Sequence, residues 1–111
     1  MVKVGLFVRL RAKAGKEAEV DQLLKSGLAI VQEEARTPLW FALRFNASTF
    51  GIFAAFADDG ARQAHLAGRL AAALMAKAGE LLAEPPSIDA NMQVSAATKY
   101  QRTSRSSTRS A

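Results

Sequence analysis

The chain has 111 residues, half of them hydrophobic, with no cysteine, a single histidine and a formal net charge of +5. That length makes one domain with a core of its own, and the missing cysteines exclude disulfides, thiolate metal sites and a cysteine nucleophile. One histidine cannot build a histidine-rich metal centre, no apolar run approaches the ~20 residues of a membrane-spanning helix, and the N-terminus carries no signal-peptide pattern, so the expectation is a cytoplasmic protein with no membrane partner.

The charge is unevenly spread. Residues 1–99 hold 12 basic and 10 acidic side chains, a net of +2, and Arg102, Arg105 and Arg109 supply the remainder. Three spaced arginines make few phosphate contacts, so no nucleic-acid partner is expected. The reading is a domain over residues 1–99 followed by a basic Ser/Thr/Arg tail over 100–111, too polar to fold alone.

Residues 2–11 alternate, with Val2, Val4, Leu6, Val8 and Leu10 on one face, which predicts a half-buried strand. Ala14-Gly15-Lys16 breaks the pattern. From Lys16 to about Ala35, Val20, Leu23, Leu24, Gly27, Leu28 and Val31 recur at helical spacing, with Glu17, Glu19 and Asp21 near the start where the helix dipole favours acids. Glu33-Glu34 reads as a solvated helix end, and Thr37-Pro38 stops the helix. Leu39–Phe45 and Thr49–Ala57 form a hairpin about Asn46-Ala47-Ser48, the second run being apolar on both faces and therefore central in the sheet. Asp58-Asp59 is a helix N-cap signal. The helical stretch behind it carries Leu66, Leu70, Leu74, Ala78 and Leu81 on one stripe, with a break expected near Gly68. Pro85-Pro86 ends it, and Ile88, Ala90, Met92, Val94 and Ala96 alternate in a last strand.

The fold class is therefore α+β, a ferredoxin-like βαββαβ arrangement with a four-stranded antiparallel sheet and both helices on one face. Val4, Leu6, Val8, Phe41, Leu43, Met92 and Val94 are expected to face the helices. Phe7, Trp40 and Ala42 are expected on the other face, with Arg9, Arg44, Asn91 and Gln93 around them. That face is too apolar for solvent and predicts a partner.

Three segments carry a resemblance: Phe7-Val-Arg-Leu-Arg-Ala-Lys-Ala-Gly-Lys-Glu17, the paired strands Leu39–Phe45 and Thr49–Ala57, and Phe56-Ala-Asp-Asp-Gly-Ala-Arg-Gln-Ala-His-Leu66. Over residues 2–98 the chain resembles the antibiotic biosynthesis monooxygenase-like domains of the dimeric α/β-barrel superfamily. The resemblance implies a homodimer whose sheets face each other. For members that are enzymes it implies cofactor-independent oxygenation of a quinol or polycyclic phenol. The chain has Phe53-Ala-Ala-Phe56 where members usually carry Tyr-Glu before a strand-end Trp, and it lacks the early-strand Asn of several active members.

His65 is the sole imidazole, flanked by Arg62 and Arg69, and has the chemistry of a general base near neutral pH. It is the candidate catalytic residue. Phe41, Phe56 and Trp40 are candidates to hold an aromatic ring, and Arg44 an anionic group. No cofactor or metal is expected: Gly5, Gly15 and Gly51 form no phosphate-binding loop, no triad is visible, and a haem site cannot be assembled. The functional alternatives are a small aromatic monooxygenase, a non-catalytic ligand-binding or stress-response barrel, and a structural dimer. A pocket lined by His65, Phe56 and Phe41 would distinguish the first.

Overall fold

The computed structural model describes residues 1–97 as β1 (Val4–Arg11), α1 (Glu17–Val31), β2 (Leu39–Arg44), β3 (Thr49–Phe56), α2 (Asp59–Leu66), α3 (Arg69–Leu81) and β4 (Ser87–Gln93). The expected tail over 100–111 lies outside the described residues. The sheet order is β2-β3-β1-β4 and every pairing is antiparallel, so the fold is ferredoxin-like with its second helix divided in two. β3 takes the inner position that its two-sided apolar sequence predicts.

Alternation on the two inner strands sets the core. Val4, Leu6, Val8 and Leu10 stand opposite Phe56, Ala54, Ile52 and Phe50, all buried beneath the helices. Val20 and Leu24 of α1 and Leu74 and Leu81 of α3 close over them. Gly15 supplies the turn from β1 into α1 at φ +86°, a conformation side chains other than glycine's rarely adopt. Asp58 caps α2 by accepting from the Ala61 amide at 2.8 Å. The interruption between α2 and α3 falls at Ala67-Gly68, as the glycine predicts.

Three expectations are corrected. First, β2 has the opposite phase. Trp40, Ala42 and Arg44 pair with Ala54, Ile52 and Phe50 and so share the helix side, while Leu39, Phe41 and Leu43 lie on the open face. Both alternating sets of β2 are apolar, so hydrophobicity cannot choose between them; space does. A Cβ on Gly27 of α1 would stand 3.7 Å from the Trp40 ring, and this glycine makes room for the indole. Second, the register shift in β4 between the partners of Gly5 and Phe7 divides its alternation. Ile88 and Ala90 remain with the core, whereas Met92, opposite Gly5, and Val94 join the open face beside Phe41 and Phe53. Third, α1 ends at Val31, short of Ala35. Its last residues tighten into i→i−3 hydrogen bonds, Glu33 to Ile30, Glu34 to Val31 and Thr37 to Glu34.

Candidate functional site

The early end of α1 has a chemical consequence. The tight turns rotate Glu34 inward, and its Oε1 lies 2.7 Å from Nδ1 of His65 on α2. Thr37 donates its hydroxyl to the same oxygen at 2.8 Å. Glu34 is thus the partner of the imidazole and not a solvated helix end. Of the expected flanking cations, Arg69 pairs with Glu33 and Arg62 turns towards the sheet, so the group that meets the ring is a carboxylate. A carboxylate only accepts, so Nδ1 donates, and in the neutral ring Nε2 is left as the acceptor.

His65 is 5% exposed. Its ring is tilted against Phe56, with centroids 5.4 Å apart and planes at 49°. On its other side it lines a chamber of about 110 Å³ between helices and sheet. Leu6, Val8 and Ile52 form the floor, Leu70 and Leu74 of α3 the roof, and His65 is the sole polar side chain in the lining. Met75 and Ile88 also line it and are more than half and half exposed, which places the mouth between them. Among the described residues, Nε2 has no hydrogen-bond partner, and the only fully enclosed side-chain polar atom without one is Nε1 of Trp40. Nε2 is therefore not fully enclosed, on a ring that lines the chamber. A buried imidazole oriented by a carboxylate, with a free nitrogen on an apolar cavity, can accept a proton from a bound hydroxyl.

The other residues singled out from sequence lie elsewhere. Phe56 backs His65 from within the core. Trp40 lies towards the helices against Gly27, outside the chamber lining. Phe41 is on the open face, across the sheet from His65. The Arg44 guanidinium covers the Phe50 ring at 4.8 Å and donates to the carbonyls of Asn46 and Ala47, securing the β2–β3 turn. The open face carries Phe7 and Phe45 with centroids 6.1 Å apart and Arg9 against both rings, together with Leu39, Phe41 and Leu43.

No family model matches the chain, and no curated protein does. Among solved structures, the NE2512 protein of unknown function from Nitrosomonas europaea superposes with a TM-score of 0.86 at 50% identity, covering 91% of this chain and 97% of that one. The chain belongs to that protein's family. An antibiotic biosynthesis monooxygenase structure aligns with a TM-score of 0.70 at 12% identity over 88% of this chain and 100% of its own. A Caulobacter crescentus protein, named provisionally as an antibiotic biosynthesis monooxygenase, aligns with a TM-score of 0.71 at 19% identity over 87% of this chain and 92% of its own. Likeness at these identities is one of fold, and the domain is antibiotic-biosynthesis-monooxygenase-like in that sense.

In this fold Arg62 is a residue that sequence reasoning undervalued. It is 5% exposed, and its Nη1 donates to the carbonyls of Gly5 at 2.9 Å and Met92 at 3.0 Å, spanning β1 and β4 where their register shifts. Asp59 holds the guanidinium from the exposed side at 2.8 Å. The i, i+3 spacing of Asp59 and Arg62 on a helix is a signal from which this pair could have been read. Glu34 left no comparable signal, because a pairing across 31 residues depends on the turns after α1.

Proposed function

We propose that the protein is a cofactor-independent monooxygenase of a small aromatic phenol or quinol, with His65 as the general base. The observation that carries the reading is the His65–Glu34 pair on the wall of an apolar chamber, its free nitrogen the polar atom offered to a ligand. His65 Nε2 takes the phenolic proton, and the resulting anion, electron-rich at the ring carbons ortho and para to its oxygen, reduces dioxygen. One oxygen atom becomes the carbonyl at whichever of these carbons carries hydrogen, the ortho carbon where the para position is substituted, and that carbon loses its two hydrogens counted in the keto form. The other oxygen leaves as water, so substrate and dioxygen balance without an external reductant. The apolar lining excludes water from the carbanion, and Glu34 stabilises the imidazolium while it holds the proton. The names of the fold neighbours agree with this class of reaction.

We also propose that the working form is a homodimer closed through the open sheet face, where Leu39, Phe41, Leu43 and Phe45 are left exposed. Among the described residues, no helix is long and apolar enough to cross a membrane, and the protein is read as cytoplasmic. The test of the reaction is dioxygen consumption with hydroquinones, phenols and anthrones. Stoichiometric uptake that disappears in His65→Ala supports it, and no uptake with any of them removes it. The absence of a second polar side chain in the chamber suits a second reading, a binding module without catalysis, and ligand binding without oxygen uptake would select it.

A further inference from the structure

The chamber's size, polarity and mouth restrict what it can take. A cavity of about 150 Å³ lined by aliphatic side chains holds one benzene ring. This chamber, at about 110 Å³, is smaller than that and opens to solvent, so it encloses no more than one ring, and a ring fused alongside must be left outside. Its lining carries no charged side chain, so a carboxylate or ammonium would be buried without a counter-charge. The polar side chain of the lining, His65, is buried at 5% exposure, while Met75 and Ile88 are its exposed members.

We infer that the chamber is a site for uncharged single-ring phenols, the hydroxyl donating to Nε2 of His65 and the para position directed out between Met75 and Ile88. The inference rests on the proposed reaction for its meaning but not for its test, because it narrows the substrate class to one ring and concerns binding alone. It also sets an order of preference. Para-alkyl phenols fit because the para substituent leaves through the mouth. Benzoates are excluded by charge, and naphthols and anthrones by volume.

Calorimetric titration of the full chain tests this. p-Cresol should bind at least tenfold more tightly than toluene, which has the same ring and methyl group without the hydroxyl. Benzoate, 1-naphthol and anthrone should show no saturable binding. Ala71→Leu, which places an isobutyl group in the chamber from α3, should weaken p-cresol at least tenfold while leaving the circular dichroism spectrum unchanged. Should that variant fail to fold, Leu74→Ala reads the same wall in the other direction and should gain 1-naphthol binding. Equal affinity for p-cresol and toluene, anthrone binding as tightly as p-cresol, or p-cresol binding unchanged by Ala71→Leu would each overturn the inference. p-Cresol bound without oxygen uptake would leave it standing and remove the catalytic reading. Oxygen uptake with anthrone and no p-cresol binding would do the reverse.

Discussion

At His65 the chemistry and the packing meet in one side chain. Removing a positioned general base costs ~10²–10⁴ in rate, and His65→Ala is expected to lose turnover on that scale in an oxygen-electrode assay. The variant also loses stability, by about 1–3 kcal/mol in urea unfolding, because Glu34 is left part-buried with only Thr37 as its partner. Glu34→Gln separates the two effects. An amide can donate as well as accept, so it no longer dictates which imidazole nitrogen carries the proton. kcat should fall by ~10²-fold or more while p-cresol affinity changes less than threefold. Arg62 is a structural counterpart. Arg62→Met strands the Gly5 and Met92 carbonyls and should cost roughly 3 kcal/mol in the same unfolding measurement, well beyond the ordinary surface substitution.

Elements differ in how openly the sequence announces them. β1, β3 and the α2–α3 stripe are legible because only one of their faces could be buried or because both are apolar, and the Asp58 cap and Gly68 break follow from single residues with well-defined backbone preferences. β2 is ambiguous by its own composition, and its phase is decided by the space Gly27 leaves for Trp40. β4 alternates cleanly in sequence, but a register shift against β1 sends its two halves to opposite faces, and period-two reading carries no mark of such a bulge. The candidate site was legible as His65 and Phe56, which share one local strand-to-helix connection. Glu34, which arrives through a long-range contact, and the placement of Phe41, which depends on strand phase, were not. Gly27→Val tests the packing argument: a Cβ there would already approach Leu70 Cδ1 at 2.9 Å, so overpacking should cost about 1–3 kcal/mol and displace the Trp40 ring, seen as a shift in its fluorescence.

On the scale of the whole molecule, the two faces of the sheet differ: one encloses the chamber, and the other leaves Leu39, Phe41, Leu43 and Phe45 exposed and is the face proposed to meet a second copy. Sedimentation at micromolar concentration is expected to give twice the chain mass of 11.9 kDa. Phe41→Asp should return it to a folded monomer, since burying an unpaired carboxylate costs several kcal/mol, whereas Trp40→Asp, directed at the helices, should unfold the domain instead. Glu34 orients a single imidazole, and because the histidine is alone in the chain, the proposed service of its other nitrogen to the chamber is directly measurable. Long-range ¹H–¹⁵N correlation spectra at about pH 9, above the ordinary imidazole range, contain one histidine ring. The expected result is a proton on Nδ1, a bare Nε2, and a Nε2 resonance that moves on titration with p-cresol. A proton on Nε2, or a ring whose resonances ignore saturating p-cresol, would contradict it.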